Sequence, residues 1–184
     1  RFYDEEVMAV TSSVAIYHPK TIWQRIQHVE YYLTVFLRRS FSLVNSIYIT
    51  SGAFSAYRKI FFEKHKGFDV GNITEDLEIA LRIQYLDYTI EYAPSAVLYT
   101  LGPATFQDLL YQRRRWYVGL MRNLWNYRKK LFGVRRGALG TLVLPSVVLS
   151  VLLSLTLTLY TIAKIFSLLG NELSLLESVD FMFI

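Results

Sequence analysis

Two short stretches of this sequence carry side chains whose types and spacing could do chemistry. The first is Gln112-Arg113-Arg114-Arg115-Trp116, set in a run from Thr105 to Phe132 that reads as one amphipathic helix. At about 100° per residue, Phe106, Leu110, Tyr117, Leu120, Met121 and Leu124 share a stripe, and Gln112, Arg115, Trp116, Gly119 and Asn123 lie opposite. The polar face offers an amide, a guanidinium that pairs bidentately with phosphate oxygens and an indole that packs against a pyranose ring, with Gly119 leaving room beside them. That set suits a phosphorylated sugar. Basic residues beside a hydrophobic stretch are, however, more often a membrane-surface collar or a solvated helix face than a ligand site. The second stretch is Thr74-Glu75-Asp76, with Thr as helix N-cap and two carboxylates in the first turn. Alone, it reads as a well-formed helix start. Asp76 and Glu78, two apart on a helix, do not face each other as a metal pair would.

The elements that must position these residues are legible around them. Val7 to Tyr17 reads as a strand, expected to pair with strands from outside the chain and so to leave an open edge. Lys20 to Arg38 is a helix after Pro19, with Ile22, Ile26, Val29, Leu33, Phe36 and Leu37 on one apolar face. Ser46 to Arg58 is expected to be a strand, a close backbone approach or tight bulge at Gly52, and a second extended piece. Lys59 to Lys66 is a short helix stopped by Gly67, and Phe68 to Ile73 is a loop. In the helix from Thr74, Leu77, Ala80, Leu81 and Gln84 share a face. Tyr88 to Ala93 and Ala96 to Thr100 read as strands broken at Pro94, and Gly102-Pro103 turns the chain into the helix of the first motif.

Composition places part of the chain in a membrane. Of 184 residues, 53% are hydrophobic and the formal charge is +5. Ala138 to Ala163 holds no charged residue and as a helix would cover about 39 Å, more than a hydrocarbon core of about 30 Å. Pro145 is expected to kink that helix or to mark its effective start. Between Gln107 and Gly137, nine Lys or Arg stand against Asp108 alone. The positive-inside bias therefore makes the N-terminal part cytoplasmic. Absence of Cys fits a reducing compartment, and the opening residues lack the progression of a secretory signal. The missing initial Met and the apolar ending Phe181-Met182-Phe183-Ile184 lead us to expect a segment of a longer polypeptide. His18, His28 and His65 have no metal-ligand spacing, and no nucleophile triad or phosphate-cradling glycine loop is present.

Taken in order, Ser51-Gly52-Ala53-Phe54 with Arg58, Gly67-Phe68-Asp69, Thr74-Glu75-Asp76 and Gln112-x-x-Arg115-Trp116, just before a membrane span, resemble membrane glycosyltransferases of family 2. Cellulose, chitin and hyaluronan synthases are similar enzymes, and the resemblance covers most of Ile47 to Leu131. It implies an α/β, partial GT-A type domain with a Rossmann-like mixed sheet. On this reading residues 1–104 are its acceptor-side half, 105–137 an amphipathic interface helix with a basic collar, and 138–169 the transmembrane helix. Residues 170–184 begin an extracytoplasmic or further membrane segment. The resemblance further implies that Asp76 is the general base that deprotonates the acceptor hydroxyl. Gln112 and Arg115 would meet the nucleotide diphosphate, Trp116 would stack on the acceptor sugar, and Thr74, Glu75 and Gly52 would bind substrate.

The implied reaction inverts the anomeric carbon, transferring a sugar from a UDP- or GDP-sugar donor to a glycan or lipid-linked acceptor at the cytoplasmic face of the plasma membrane. Membrane lipid is an expected partner and nucleic acid is not. Such enzymes hold a divalent cation, Mg or Mn, through an Asp-x-Asp motif. This sequence contains none, so the metal site and most of the nucleotide pocket are expected outside it, and the chain alone is expected to be inactive. A non-enzymatic basic scaffold at the membrane surface, or an inactive paralogue, is the alternative.

Overall fold

The computed structural model describes residues 2–180, with residues 170–180 as backbone alone; the run Phe181 to Ile184 lies outside the described residues. It forms two compact units, one reaching to Val143 and one beginning at Leu144.

The first unit is built on a three-stranded mixed sheet. Strand β1 (Val7–Ile16) lies in the middle, parallel to β3 (Thr89–Thr100) and antiparallel to the short β2 (Ser55–Tyr57). The expectation that β1 would present an open edge is therefore corrected: β3 pairs along it on one side, and β2 covers Ala9 to Thr11 on the other. β3 is one strand, not two. Pro94 has no N–H to give a ladder, and the chain absorbs it as a bulge, with Ser12 opposite Ala93 and Ser13 opposite Val97.

Helix α1 (Ile22–Leu43) is closed at its start by a reciprocal capping box between Thr21 and Gln24, and it runs five residues past the expected end at Arg38. The expected strand at Ile47 and Ile49 does not form. Its backbone groups are claimed by side chains instead: Gln84 Nε2 donates to the Ile47 carbonyl, and Ser51 N–H donates to Thr11 Oγ1. Helix α2 (Lys59–His65) follows β2, and its stop is Lys66 at φ 68° rather than Gly67. Arg58 ties the start of β1 down, its guanidinium donating to the carbonyls of Val7, Asp4 and Phe2.

Helix α3 (Glu75–Tyr85) is nearly engulfed. Leu77, Ile79, Ala80, Leu81 and Ile83 are buried, and Ile79, Ala80 and Ile83 join Met8, Ala9, Ile47, Phe61, Ile90 and Tyr92 in one core between helix and sheet. At about 1.5–3 kcal/mol for each large apolar side chain removed from water, this core fixes α3 against β1 and β3. Helix α4 (Phe106–Leu131) starts at Thr105, whose hydroxyl accepts from Asp108 N–H. A short 3-10 turn (Val134–Arg136) and a π-helical stretch (Leu139–Val143) complete the unit.

The second unit is helix α5 (Leu144–Asp180), which continues across the expected boundary at residue 170. Pro145 is the second residue of α5, but the helical backbone is continuous from residue 137 through the π-helical Leu139–Val143, so Pro145 lies within a helix, just after a wider π turn. The stretch Leu139–Leu169, of mean hydropathy 2.3, is long and apolar enough to cross a membrane.

Candidate active site

Helix α1, and in part α4, distributes polarity the wrong way round for a soluble core. On α1 the expected apolar stripe faces out: Ile22 and Leu33 are 60% exposed and Phe36 is 69% exposed, while Gln27 and Arg38 are buried. On α4, Phe106, Leu110 and Met121 are exposed and Gly119 and Asn123 are buried, but Leu124 of the same apolar stripe is buried too, and Tyr117 and Leu120 line the cleft that these helices help to enclose. The polar stripe of α1, at Gln27, Tyr31, Thr34 and Arg38, follows helical spacing and turns inward with the polar face of α4. Together with the start of α3 and the loop 46–53 they enclose a cleft of about 580 Å³.

The cleft gathers Gly52, Thr74, Glu75, Asp76, Arg115 and Trp116 from three separate parts of the sequence. Asp76 is placed by the first turn of α3, where its Oδ1 accepts from Leu77 N–H at 2.8 Å and its carbonyl accepts from Thr50 Oγ1 at 2.8 Å. Burial pushes its carboxyl above the ordinary carboxylate range. The Leu77 and Gly52 backbone N–H groups draw it back and the neighbouring Glu75 carboxylate adds to the rise. Gly52 makes the backbone approach it was expected to make: a Cβ there would lie 3.1 Å from Asp76 Oδ2.

Thr74 stands at the N-cap position of α3, but its side chain does not cap the helix. Its hydroxyl instead accepts from Asn123 Nδ2 at 3.0 Å, and Asn123 and Asn72 exchange two amide hydrogen bonds of 2.8 and 3.1 Å. Asn72 Oδ1 also accepts from Thr74 N–H. This network fastens α4 to the residue before Glu75 and Asp76, so the start of α3 and the helix carrying Arg115 and Trp116 meet at one joint. Asn72 gave no sequence signal beyond its place in a loop.

Gln112 is not among the cleft-lining residues. Its side-chain oxygen accepts from the buried Gln27 Nε2 at 2.6 Å, joining α4 to α1. Arg113, by contrast, lines the cleft; it pairs with Glu30 of α1 and lays its guanidinium over the Trp116 ring, 4.8 Å from the centroid. One face of the indole is thus occupied by a cation and held in place. Arg38 also lines the cleft, and no motif marked it. Among the described residues no group of three or more His, Asp or Glu side chains converges to hold a metal ion.

A family profile described as "Glycosyl transferase family group 2" matches residues 2–176. The chain is similar to poly-beta-1,6-N-acetyl-D-glucosamine synthase of Staphylococcus epidermidis, 33% identical over 123 residues that are 64% of this chain and 30% of the relative. It is also 30% identical over 118 residues to the synthase of that name from Staphylococcus aureus strain COL, covering 64% of this chain and 29% of the relative. The chain therefore spans less than a third of the length of these curated relatives. Since the profile takes in the whole sheet, the cleft and most of the long apolar helix, the chain belongs to glycosyl transferase family group 2.

Proposed function

We propose that the polypeptide carrying this chain transfers a sugar, with inversion, from a UDP- or GDP-linked donor to the hydroxyl of a glycan or lipid-linked acceptor in polysaccharide synthesis. The observation that carries this reading is the Asp76 carboxylate sharing one cleft with Arg115 and Trp116. Asp76 takes the acceptor hydroxyl proton, the freed oxygen bonds to the anomeric carbon, and the bond from that carbon to the diphosphate breaks with its electron pair on the leaving group. Inversion requires base and leaving group on opposite sides of the reacting carbon, and a cation set at the diphosphate matches where negative charge develops. Arg115 meets that diphosphate. The Trp116 face not covered by Arg113 stacks on the acceptor sugar, while Thr74, Glu75 and Gly52 shape the pocket around Asp76. Gln112 acts from behind the cleft, through Gln27.

Family 2 enzymes commonly use a divalent cation; the side chains described here supply no cluster for one, and the Mg or Mn site belongs to the rest of the polypeptide. The names of the relatives make N-acetyl-D-glucosamine the first sugar to test. The long apolar stretch and the outward apolar faces of α1 and α4 support a place at the plasma membrane, with α4 at the interface, residues 1–104 on the cytoplasmic side and Leu139–Leu169 as the span. In the full-length enzyme, Asp76→Asn should lower turnover by about two to four orders of magnitude while nucleotide binding persists. Near-normal transfer by that variant overturns the assignment of the base.

A further inference from the structure

Of the three consecutive arginines on α4, Arg113 alone has a carboxylate partner among the described residues. That partner is Glu30 of α1. The two side chains are 25% and 43% exposed, a setting in which an ion pair adds little to stability. The pair is not needed to join the helices either. One turn earlier on α1, Gln27 Nε2 donates to Gln112 Oε1 at 2.6 Å, and two turns earlier Trp23 meets Phe106 with ring centroids 5.0 Å apart. Glu30 repeats a junction that is already made, so its effect lies in what it does to Arg113.

Arg113 lines the cleft together with Arg115 and Trp116, whereas Glu30 does not. Without Glu30, a guanidinium at the cleft wall would be drawn to any phosphate oxygen that entered, in competition with Arg115. Paired with Glu30, its Cζ lies 4.8 Å from the centroid of the Trp116 ring, within the roughly 6 Å of a cation–π contact. Trp116 is three residues further on the same helix, which makes the two side chains neighbours on its surface. One face of the indole is covered by this contact, and a sugar that packs on the ring has only the other to use. We infer that Glu30 is a positioning residue for the acceptor site: it holds Arg113 over one face of Trp116, which leaves the indole a single open face for a sugar and withholds Arg113 from the diphosphate. This inference rests on the proposed stacking of the acceptor on Trp116.

Two readouts on the full-length enzyme separate positioning from support of the fold. The first needs no substrate. In enzyme labelled with fluorotryptophan, the fluorine NMR signal of Trp116 is identified by its loss in Trp116→Phe, and both Glu30→Gln and Arg113→Met should shift it. The second is sugar transfer, with UDP-N-acetyl-D-glucosamine as donor and oligomers of N-acetyl-D-glucosamine, the sugar in the relatives' names, as acceptor. Glu30→Gln should raise KM for the oligomer about two- to fivefold, the factor that an exposed cation–π contact is worth. KM for the donor should not rise, and the melting temperature should not change. Glu30→Gln added to Arg113→Met should raise KM for the oligomer no further, since a residue that acts only through Arg113 has no effect once Arg113 is gone.

An unmoved fluorine signal in Glu30→Gln overturns the inference. So does a rise in both KM values with a lower melting temperature, which would mean that Glu30 only supports the fold, and so do additive losses in the double variant. Wild-type KM for the oligomer in Trp116→Leu would instead defeat the underlying reading of Trp116 as the acceptor's stacking partner.

Discussion

In the proposed role Asp76 must satisfy two opposed demands, since a base must be ionised to accept a proton while burial favours the neutral acid. The sign of the consequence for stability follows. In the unfolded chain the carboxyl ionises near the ordinary value; in the folded chain it ionises at higher pH, so across the interval between them the unfolded state holds fewer protons and stability falls as pH rises. Asp76→Asn removes that slope. The variant should therefore melt at a higher temperature than wild type near pH 8, and the gap should close as pH falls from the raised folded-state value to the ordinary carboxylate value; equal melting at both ends would show that burial does not strain this group. The arginines differ by position. Arg115 lines the cleft, whereas Arg114 borders a separate hollow with Gln107, Leu110 and Tyr111. Lys keeps the charge but not the planar fork, so Arg115→Lys should lower kcat/KM at least about tenfold, about the value of one lost charge-assisted hydrogen bond, and Arg114→Lys should be near neutral. Equal losses, scaling with salt, would favour the basic-scaffold reading instead.

Among the elements, the joint of α3 with α4 decides whether the site exists. A Cβ at Gly119 would fall 2.9 Å from Thr74 Cβ, and with both residues on packed backbone neither can swing away. Ala is the better helix former by about 1 kcal/mol, yet Gly119→Ala should destabilise the fold by about 1–3 kcal/mol through overpacking and depress transfer by displacing the start of α3. A variant with wild-type melting and turnover would show that the joint has slack. How far such features can be seen in sequence depends on where their partners lie. The start of α4 was legible because Thr105 caps locally, and Gly52 stood out because its neighbours are small. Thr74 was legible as a cap position and misleading as a cap, because Asn123, 49 residues on, takes its hydroxyl. The strand expected at Ile47 and Ile49 failed for the same kind of reason: its partners are the side chains of Gln84 and Thr11, not a neighbouring strand. Periodicity gave α1 two stripes but could not say which one faces in. An apolar stripe is assigned to the core by default, and here the inward stripe is the polar one that includes Arg38.

At the scale of the whole molecule, the proposed function gives the chain one side of a reaction. The cleft has the Asp76 carboxylate, cations and an indole, while the sheet has three strands with β3 at its edge, and the chain spans about 30% of the length of its relatives. An edge of this length invites pairing with other strands, and the exposed stripes of α1 and α4 add apolar surface that water does not favour. We therefore expect residues 1–184, expressed alone, to aggregate or to melt without a cooperative transition in detergent, as followed by circular dichroism, and to transfer no sugar from UDP- or GDP-linked donors. The reason is geometric. A base and a diphosphate cation accelerate transfer only when a donor carbon is held between them at reacting distance, and most of the donor-holding surface belongs, on our proposal, to the remainder of the polypeptide. Supplying that remainder as a separate chain should restore both a cooperative melt and transfer, provided the β3 edge is where it docks. Sugar transfer by the purified 1–184 chain, abolished by Asp76→Asn, would show instead that this cleft binds a donor unaided.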